Sequence, residues 1–214
     1  LVEWPVGLCG KFEEKFLSTP DMALIAAMKG HQKYFPTRAQ TGELTNRFII
    51  VSNIESKDES QVIAGNQRVI RARLSDAKFF YDTDRKHTLR SRRDRLDKIT
   101  FHPKLGSLGA KTDRLKKLSG EIARSIGVDV KIMHQAAELS RCDLVSEMVL
   151  EFDELQGRIG TLYATLDQEN PDVAQAIQGL YQPRGASDSI PDDLFGSILA
   201  LADRLDTLAG LFAI

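Results

Sequence analysis

Carboxylates are the side chains in the second half of the sequence with the greatest capacity for chemistry. Asp203 and Asp206 are three residues apart, so they are neighbours if this segment is a helix. Paired carboxylates can hold a divalent cation, but hard cations need several oxygen ligands, and Asp143 is the one further candidate that we identify. We therefore favour a structural role, in which the two carboxylates hydrogen-bond between helices.

The histidines show no spacing typical of a metal centre. Metal-binding helices commonly carry two histidines at positions i and i+4 with a carboxylate between them, and this pattern does not occur here. His31 and His102 each adjoin a turn and an aromatic residue or a proline. We assign no histidine to catalysis, and this applies to His31, His87, His102 and His134.

A glycine-rich segment, GSLGAKT at residues 106–112, superficially resembles a phosphate-binding loop. That loop requires a glycine directly before the lysine and four residues between its glycines, so that backbone amides surround the phosphates. Here Ala110 precedes Lys111 and the glycines are too close together. We interpret the segment as a linker between two domains.

Basic residues are concentrated in the middle of the chain. Residues 67–118 contain 16 lysines and arginines against 6 acidic residues, whereas residues 139–214 contain 4 against 13. Such a segment can bind nucleic-acid phosphates by releasing counterions. A solvated surface with helical ion pairs, such as Arg93 with Asp97, explains the charges equally well, and both interpretations remain open. The candidate nucleic-acid-binding residues are Arg68, Arg71, Arg73, Lys78, Arg90, Arg92, Arg93 and Arg95.

Two predicted helices carry these basic residues. The first begins with Gly65 and Asn66 as its cap and has Ile70, Leu74, Ala77 and Tyr81 on one helical face. The second covers residues 88–99, and its arginines point mostly to water. We favour core positions for the aromatic residues between the basic ones, which are Phe79, Phe80 and Tyr81.

The pattern of the whole chain predicts an α+β fold that is mainly helical. Phe48 to Val51 form the clearest strand, and Thr19-Pro20-Asp21 can begin a helix that Gly30 ends. Residues 139–157 have apolar residues at helical spacing and are predicted to form one core helix. The last helix covers roughly residues 191–212. It is predicted to face the core with Ile198, Leu201, Leu205 and Leu208. We divide the chain into a mixed α/β portion, residues 1–108, and an all-α domain, residues 109–214.

Composition places the chain among ordinary soluble proteins. It has 42% hydrophobic and 28% charged residues, and no apolar run approaches the roughly 20 residues of a membrane helix. Cys9 and Cys142 lie far apart, which excludes a zinc knuckle and favours a reducing, cytoplasmic location. Leu1 is interpreted as an internal cut point, so we expect a fragment.

Several segments together resemble the β subunit of bacterial tetrameric glycyl-tRNA synthetase. They follow in order over nearly the whole chain: HQKYFPTR, FIIVSNIE, GNQRVIRARLSDAKFFYDTD, KLGSLGAKTDR, CDLVSEMVLEFDELQG and LADRLDTLAG. The resemblance implies an α2β2 tetramer in which the α chain carries the class II active site, with ATP and magnesium, and the β chain helps hold tRNA(Gly). It also implies that this fragment lacks the beginning of the subunit and its C-terminal anticodon-recognition domain.

The same resemblance implies that the helical half is an HD-like domain. In the HD pattern the first histidine falls near Leu118, the His-Asp pair at Cys142 and Asp143, and the last aspartate at Asp203. Leucine and cysteine replace two imidazoles, and two carboxylates from separate helices should bind a transition metal poorly. We therefore expect a scaffold with no metal, no cofactor of its own and no hydrolysis.

The expected function is a non-catalytic part of a glycine–tRNA ligase. It would support tRNA positioning and assembly with the α subunit, without a membrane partner. One alternative is an active HD-type metal-dependent phosphohydrolase. The other is a protein–protein assembly module that makes no contact with RNA.

Overall fold

The computed structural model describes residues 2–30 and 32–214, and the chain forms two compact units, Leu1–Thr83 and Asp84–Ile214. Helices predominate over short strands, which confirms the predicted α+β, mainly helical class. Among the described helices, none combines the length and the apolar content needed to cross a membrane.

The first unit contains a three-stranded antiparallel sheet with the strand order β1-β3-β2. Its elements are β1 (Val6–Lys11), a 3-10 helix (Glu14–Ser18), α1 (Asp21–Lys29), β2 (Phe35–Arg38), β3 (Leu44–Ser52) and α2 (Glu59–Asp84). The predicted strand lies within the central strand β3, where Phe48 and Ile50 are buried in alternation. The predicted limits of α1 are also confirmed, since Pro20 and Gly30 flank the helix.

The start of α2 differs from the prediction. The helix begins at Glu59 because the carboxylate of Asp58 accepts hydrogen bonds from the backbone amides of Ser60 and Gln61. Asn66 therefore lies inside the helix, where its side-chain oxygen accepts a hydrogen bond from the hydroxyl of Tyr34 over 2.6 Å. Ile70, Leu74 and Ala77 of the predicted helical face are buried, whereas Tyr81 is half-buried.

The second unit is almost entirely helical. Its elements are a 3-10 helix (Arg90–Lys98), β4 (Thr100–His102), β5 (Gly106–Ser107), α3 (Leu108–Ser125), α4 (Val130–Leu139), a 3-10 helix (Cys142–Val145), α5 (Glu147–Glu151), a 3-10 helix (Asp153–Leu155), α6 (Arg158–Leu166), α7 (Pro171–Gly179) and α8 (Leu194–Phe212). Helix α3 packs against α4 and α8, and α7 packs against α6 and α8.

The single core helix predicted for residues 139–157 is wrong. The chain there forms short helical turns, because Ser146 adopts an extended backbone conformation and its hydroxyl accepts a hydrogen bond from the amide of Val149. The predicted buried positions are nevertheless correct. They are Leu139, Cys142, Val145, Met148, Val149, Phe152 and Leu155.

The predicted core face of the last helix is also wrong. Of its four residues only Ile198 is buried, whereas Leu201, Leu205 and Leu208 are 44–54% exposed. The buried side of α8 instead includes Leu199 and Ala202. The helix is turned so that its aspartates contact α3.

The two compact units divide before Asp84, earlier than the boundary predicted at residues 108/109. The difference arises because residues 84–107 belong by their contacts to the helical unit. Arg85 pairs with Asp167 over 2.9 Å, and Arg90 pairs with Glu169 over 2.9 Å. The segment predicted to be a linker contains the β4–β5 hairpin and the start of α3, where the hydroxyl of Ser107 caps the helix.

Candidate functional site

Asp143 is completely buried in the 3-10 turn that follows α4. One of its carboxylate oxygens accepts a hydrogen bond from the amide of Gly157 over 2.6 Å, and the other accepts one from the hydroxyl of Tyr181 over 3.3 Å. Burial raises the pKa of Asp143 to about 6, although these hydrogen bonds act in the opposite direction. The oxygens are therefore directed at groups of the protein itself.

Replacing Asp143 with asparagine should remove a pH dependence of stability. Because the pKa of Asp143 is raised to about 6 by burial, the folded chain binds more protons than the unfolded chain at mildly acidic pH. The free energy of unfolding should thus fall as the pH rises from about 4 to about 6, by on the order of 3 kcal/mol. Denaturant titrations at several pH values measure this change.

The asparagine can still accept the hydrogen bond from Gly157, so the variant should fold. A matched control is Asp76→Asn, which changes an exposed aspartate of α2 and should leave the pH profile as it is. An Asp143→Asn protein with the original pH profile would show that this carboxyl group does not cause it.

Cys142 and Leu118 are the residues that we expected at two histidine positions of the HD pattern. The thiol of Cys142 is buried and lies 3.5 Å from the carbonyl oxygen of Glu138, and burial raises the pKa of this thiol to about 12. It is therefore a neutral thiol at ordinary pH, whereas the thiolate is the form that binds metals and acts as a nucleophile. Leu118 is half-buried and lines an apolar groove together with Leu105 and Leu205.

Asp203 and Asp206 form ion pairs with residues of the protein. Asp203 pairs with Arg141 and, over 3.1 Å, with the ammonium group of Lys111. Asp206 pairs with the same ammonium group over 3.0 Å and with Arg114 over 2.7 Å. Burial alone would raise the pKa of Asp206, but hydrogen bonds from Arg114 and Lys111 hold it below its ordinary value. The two aspartates thus join α8 to α3 and to the turn after α4.

Lys111 is the residue at the centre of this charged cluster. It belongs to residues 106–112, which were predicted to be a linker. It is 1% exposed, and its ammonium group also donates a hydrogen bond to the hydroxyl of Thr207 over 2.7 Å. The same group lies 4.5 Å from the centre of the Phe101 ring. The ammonium group therefore lies between two carboxylates and compensates their negative charge.

Within residues 2–30 and 32–214, no group of three or more His, Cys, Asp or Glu side chains is placed to hold a metal ion. His102 accepts a hydrogen bond from the amide of Lys104, and His134 lies against Gly120. His31 lies outside the described residues. The expectation that the chain works without a metal or cofactor stays a prediction.

The candidate basic residues of α2 differ in their exposure. Arg68 and Arg71 are exposed, whereas Arg73 and Lys78 are half-buried. Arg71 pairs with Glu13 over 2.7 Å, and Lys78 pairs with Asp82 over 2.9 Å. Phe79, for which we favoured a core position, is 64% exposed and contacts the ring of Phe80 edge to face.

The arginines of the 3-10 helix Arg90–Lys98, predicted to point mostly to water, differ in their exposure. Arg92 is 3% exposed, because its guanidinium group forms an ion pair with Asp84 and hydrogen bonds with nearby carbonyl oxygens. Arg90 pairs with Glu169, and Arg93 pairs with Asp97 and with Asp113. Arg95 is the candidate of this 3-10 helix that remains exposed and, within the described ranges, forms no ion pair.

Exposed lysines beside these arginines were not among the predicted candidates. Lys86 and Lys98 are exposed, and the described part of the chain supplies no ion-pair partner for either. The feature of the sequence that could have identified these two lysines is their position within the basic segment, residues 67–118. We call these two lysines and Arg95, the exposed basic residues of this segment of the second unit without an ion-pair partner among the described residues, the 86–98 surface.

Comparisons with known proteins give one consistent result. A family model described as glycyl-tRNA synthetase beta subunit matches residues 1–214. The chain is 55% identical to the glycine–tRNA ligase beta subunit of Chromohalobacter salexigens, and 52% identical to those of an Enterobacter species and Shigella dysenteriae. Each match covers 100% of this chain and 31% of the relative, so the chain spans about a third of the relatives' length.

Proposed function

Because this chain belongs to the glycyl-tRNA synthetase beta subunit family, we propose that it is a non-catalytic part of a glycine–tRNA ligase. It holds tRNA(Gly) and contributes to assembly with the α subunit in an α2β2 enzyme in the cytoplasm. The observation that carries this proposal is the 86–98 surface, where Lys86, Arg95 and Lys98 are exposed and none has an ion-pair partner among the described residues.

The proposed contact is with the phosphates of the tRNA backbone. Exposed lysines and arginines bind phosphates by releasing the counterions that surround the nucleic acid, and such contacts fix its position without reading its sequence. Holding the acceptor end near a separate active site accelerates the reaction by positioning. ATP and magnesium would bind at that site, on the α subunit.

The arrangement of the carboxylates supports a non-catalytic role. Asp143 accepts hydrogen bonds from Gly157 and Tyr181, while Asp203 and Asp206 are neutralised by Lys111 and its neighbouring arginines. A metal-dependent phosphohydrolase needs carboxylates that are free to bind its cation. This contrast makes the phosphohydrolase the weaker alternative, and metal analysis together with a nucleotide hydrolysis assay would reveal it.

Charge reversal on the 86–98 surface tests the proposed function. In the complete αβ enzyme, Arg95→Glu combined with Lys98→Glu should raise the KM for tRNA by about tenfold or more, since each change removes a phosphate contact and adds repulsion. Glycine-dependent exchange of ATP and pyrophosphate should be unchanged, because that reaction does not involve tRNA. Arg92 and Arg93 are unsuitable for this test because their ion pairs stabilise the unit.

A matched control reverses an exposed arginine elsewhere in the same unit. Arg158 begins α6, and Arg158→Glu should leave the tRNA kinetics within about twofold, because a glutamate is well tolerated in the first turn of a helix. Equal tRNA kinetics in the wild type and the Arg95→Glu/Lys98→Glu enzyme would rule out this surface. If the affinity of the complete enzyme for tRNA did not depend on salt concentration, the basic residues of this chain would make no phosphate contacts. That result would favour the alternative in which this chain is an assembly module without contact to RNA.

A further inference from the structure

A pocket of about 250 Å³ lies at the start of the 3-10 helix Arg90–Lys98. Its lining consists of His87, Ser91, Arg92 and Arg95. The exposed side chains of His87 and Arg95 can donate hydrogen bonds to a ligand, and two of the four lining residues carry a permanent positive charge. A pocket lined in this way is suited to an anion whose oxygens accept several hydrogen bonds.

Arg92 is held in one orientation by the protein around it. Its guanidinium group donates to the carbonyl oxygens of His87 over 3.0 Å and Thr88 over 2.9 Å, and to the carboxylate of Asp84 over 3.1 Å. It also lies 5.6 Å from the centre of the Tyr163 ring. Arg92 thus forms a rigid part of the pocket wall and needs no further ordering when an anion binds.

One donor of Arg92 remains unused. Its Nε atom is buried and has no hydrogen-bond partner among the described residues. Buried polar groups of proteins are almost always paired, so an orphaned donor calls for a partner that the protein alone does not supply. An oxygen of a bound anion, or a water molecule that accompanies it, would be such a partner.

The charges around the pocket favour an anion. Asp84 neutralises Arg92, and its carboxylate is further engaged by the hydroxyl of Tyr163 and the backbone amides of Glu147 and Met148. Arg95 is exposed and has no ion-pair partner among the described residues, so its charge is available. The net charge of the lining residues and Asp84 is therefore positive.

We propose that the pocket lined by His87, Ser91, Arg92 and Arg95 binds one phosphate group of the RNA backbone. Arg95 supplies the main attraction, Arg92 the rigid wall, and the exposed imidazole of His87 a further donor. The hydroxyl of Ser91 donates to the carbonyl oxygen of Thr88 over 2.7 Å and lines the pocket. This inference rests on the proposed function, because the phosphate belongs to the tRNA that the 86–98 surface attracts. It goes further by assigning one backbone phosphate to a defined set of side chains.

The test places a negative charge inside the pocket without removing a positive one. Ser91 is exposed, so Ser91→Asp should fold, and in the complete αβ enzyme it should weaken tRNA binding about tenfold. The slope of the binding constant against salt concentration, on logarithmic scales, should fall by about one. The matched control is Thr100→Asp, which adds the same charge at an exposed position of β4 outside the pocket and should change the affinity by less than twofold.

Further measurements separate the possible outcomes. Arg95→Gln should lower the salt slope by about one in the same way, whether or not Ser91→Asp folds. Equal effects of Ser91→Asp and Thr100→Asp would overturn the pocket and leave the proposed function intact. Failure of the wild-type enzyme to bind tRNA would refute both. A second outcome would also overturn the assignment to RNA. In it, orthophosphate binds to the wild-type enzyme and Arg95→Gln abolishes that binding, while the affinity for tRNA stays unchanged.

Discussion

Replacing Asp84 with asparagine is expected to destabilise the chain by about 3–5 kcal/mol, the cost typical of breaking a buried ion pair. Asp84 is 3% exposed and is the carboxylate that neutralises Arg92, which is equally buried. It also accepts hydrogen bonds from the hydroxyl of Tyr163 over 2.9 Å and from the amides of Glu147 and Met148, each over 3.0 Å. An asparagine has nearly the same shape but no charge, and its amide nitrogen cannot accept the bonds that the second carboxylate oxygen of Asp84 accepts.

Denaturant unfolding of the Asp84→Asn chain measures this effect. The matched control, Asp82→Asn, alters an exposed aspartate two positions earlier, whose ion-pair partner among the described residues is Lys78 on the helix surface. It should change the free energy of unfolding by no more than about 0.5 kcal/mol. If the two variants were equally stable, Asp84 would not be the centre of the hydrogen-bond network that we describe.

Replacing Lys111 with methionine is expected to destabilise the chain by about 3 kcal/mol, near the lower end for a broken buried ion pair. Methionine keeps most of the length of the side chain but removes the ammonium group that contacts Asp203, Asp206 and Thr207. The loss should not be larger, because Arg141 still neutralises Asp203 and Arg114 still neutralises Asp206.

The control and a second variant make this prediction specific. Lys117 is an exposed lysine on the same helix, and Lys117→Met should change the stability by no more than about 0.5 kcal/mol. Adding Asp206→Asn to Lys111→Met should restore part of the stability, since it removes a carboxylate that lost one of its two cationic partners. Full stability of Lys111→Met alone would contradict the role assigned to its ammonium group.

Local patterns predicted several elements correctly. The strand at Phe48 and the limits of α1 follow from alternation and from Pro20 and Gly30, all of which act within a few residues. The buried positions of residues 139–155 were also predicted, although the backbone there is not one helix. Burial depends on which residues are apolar, whereas the breaks depend on polar side chains such as Ser146 that bond to their own backbone.

The incorrect predictions concern residues whose burial depends on partners elsewhere in the sequence. The burial of Arg92 requires Asp84 and Tyr163, and the burial of Lys111 requires two aspartates of α8. On α8 the leucines with the regular helical spacing are exposed, because pairing of Asp203 and Asp206 with α3 decides how the helix is turned. Periodicity within one segment contains no information about such pairs.

The central proposal is that this part of the molecule holds tRNA through the 86–98 surface. Crosslinking of tRNA(Gly) to the complete αβ enzyme, mapped to individual residues, tests it most directly. We expect crosslinks within residues 84–98 of this chain and none within residues 139–155, where the carboxylate Asp143 is buried. Crosslinks confined to the α subunit, or to residues 139–214 of this chain, would contradict the account.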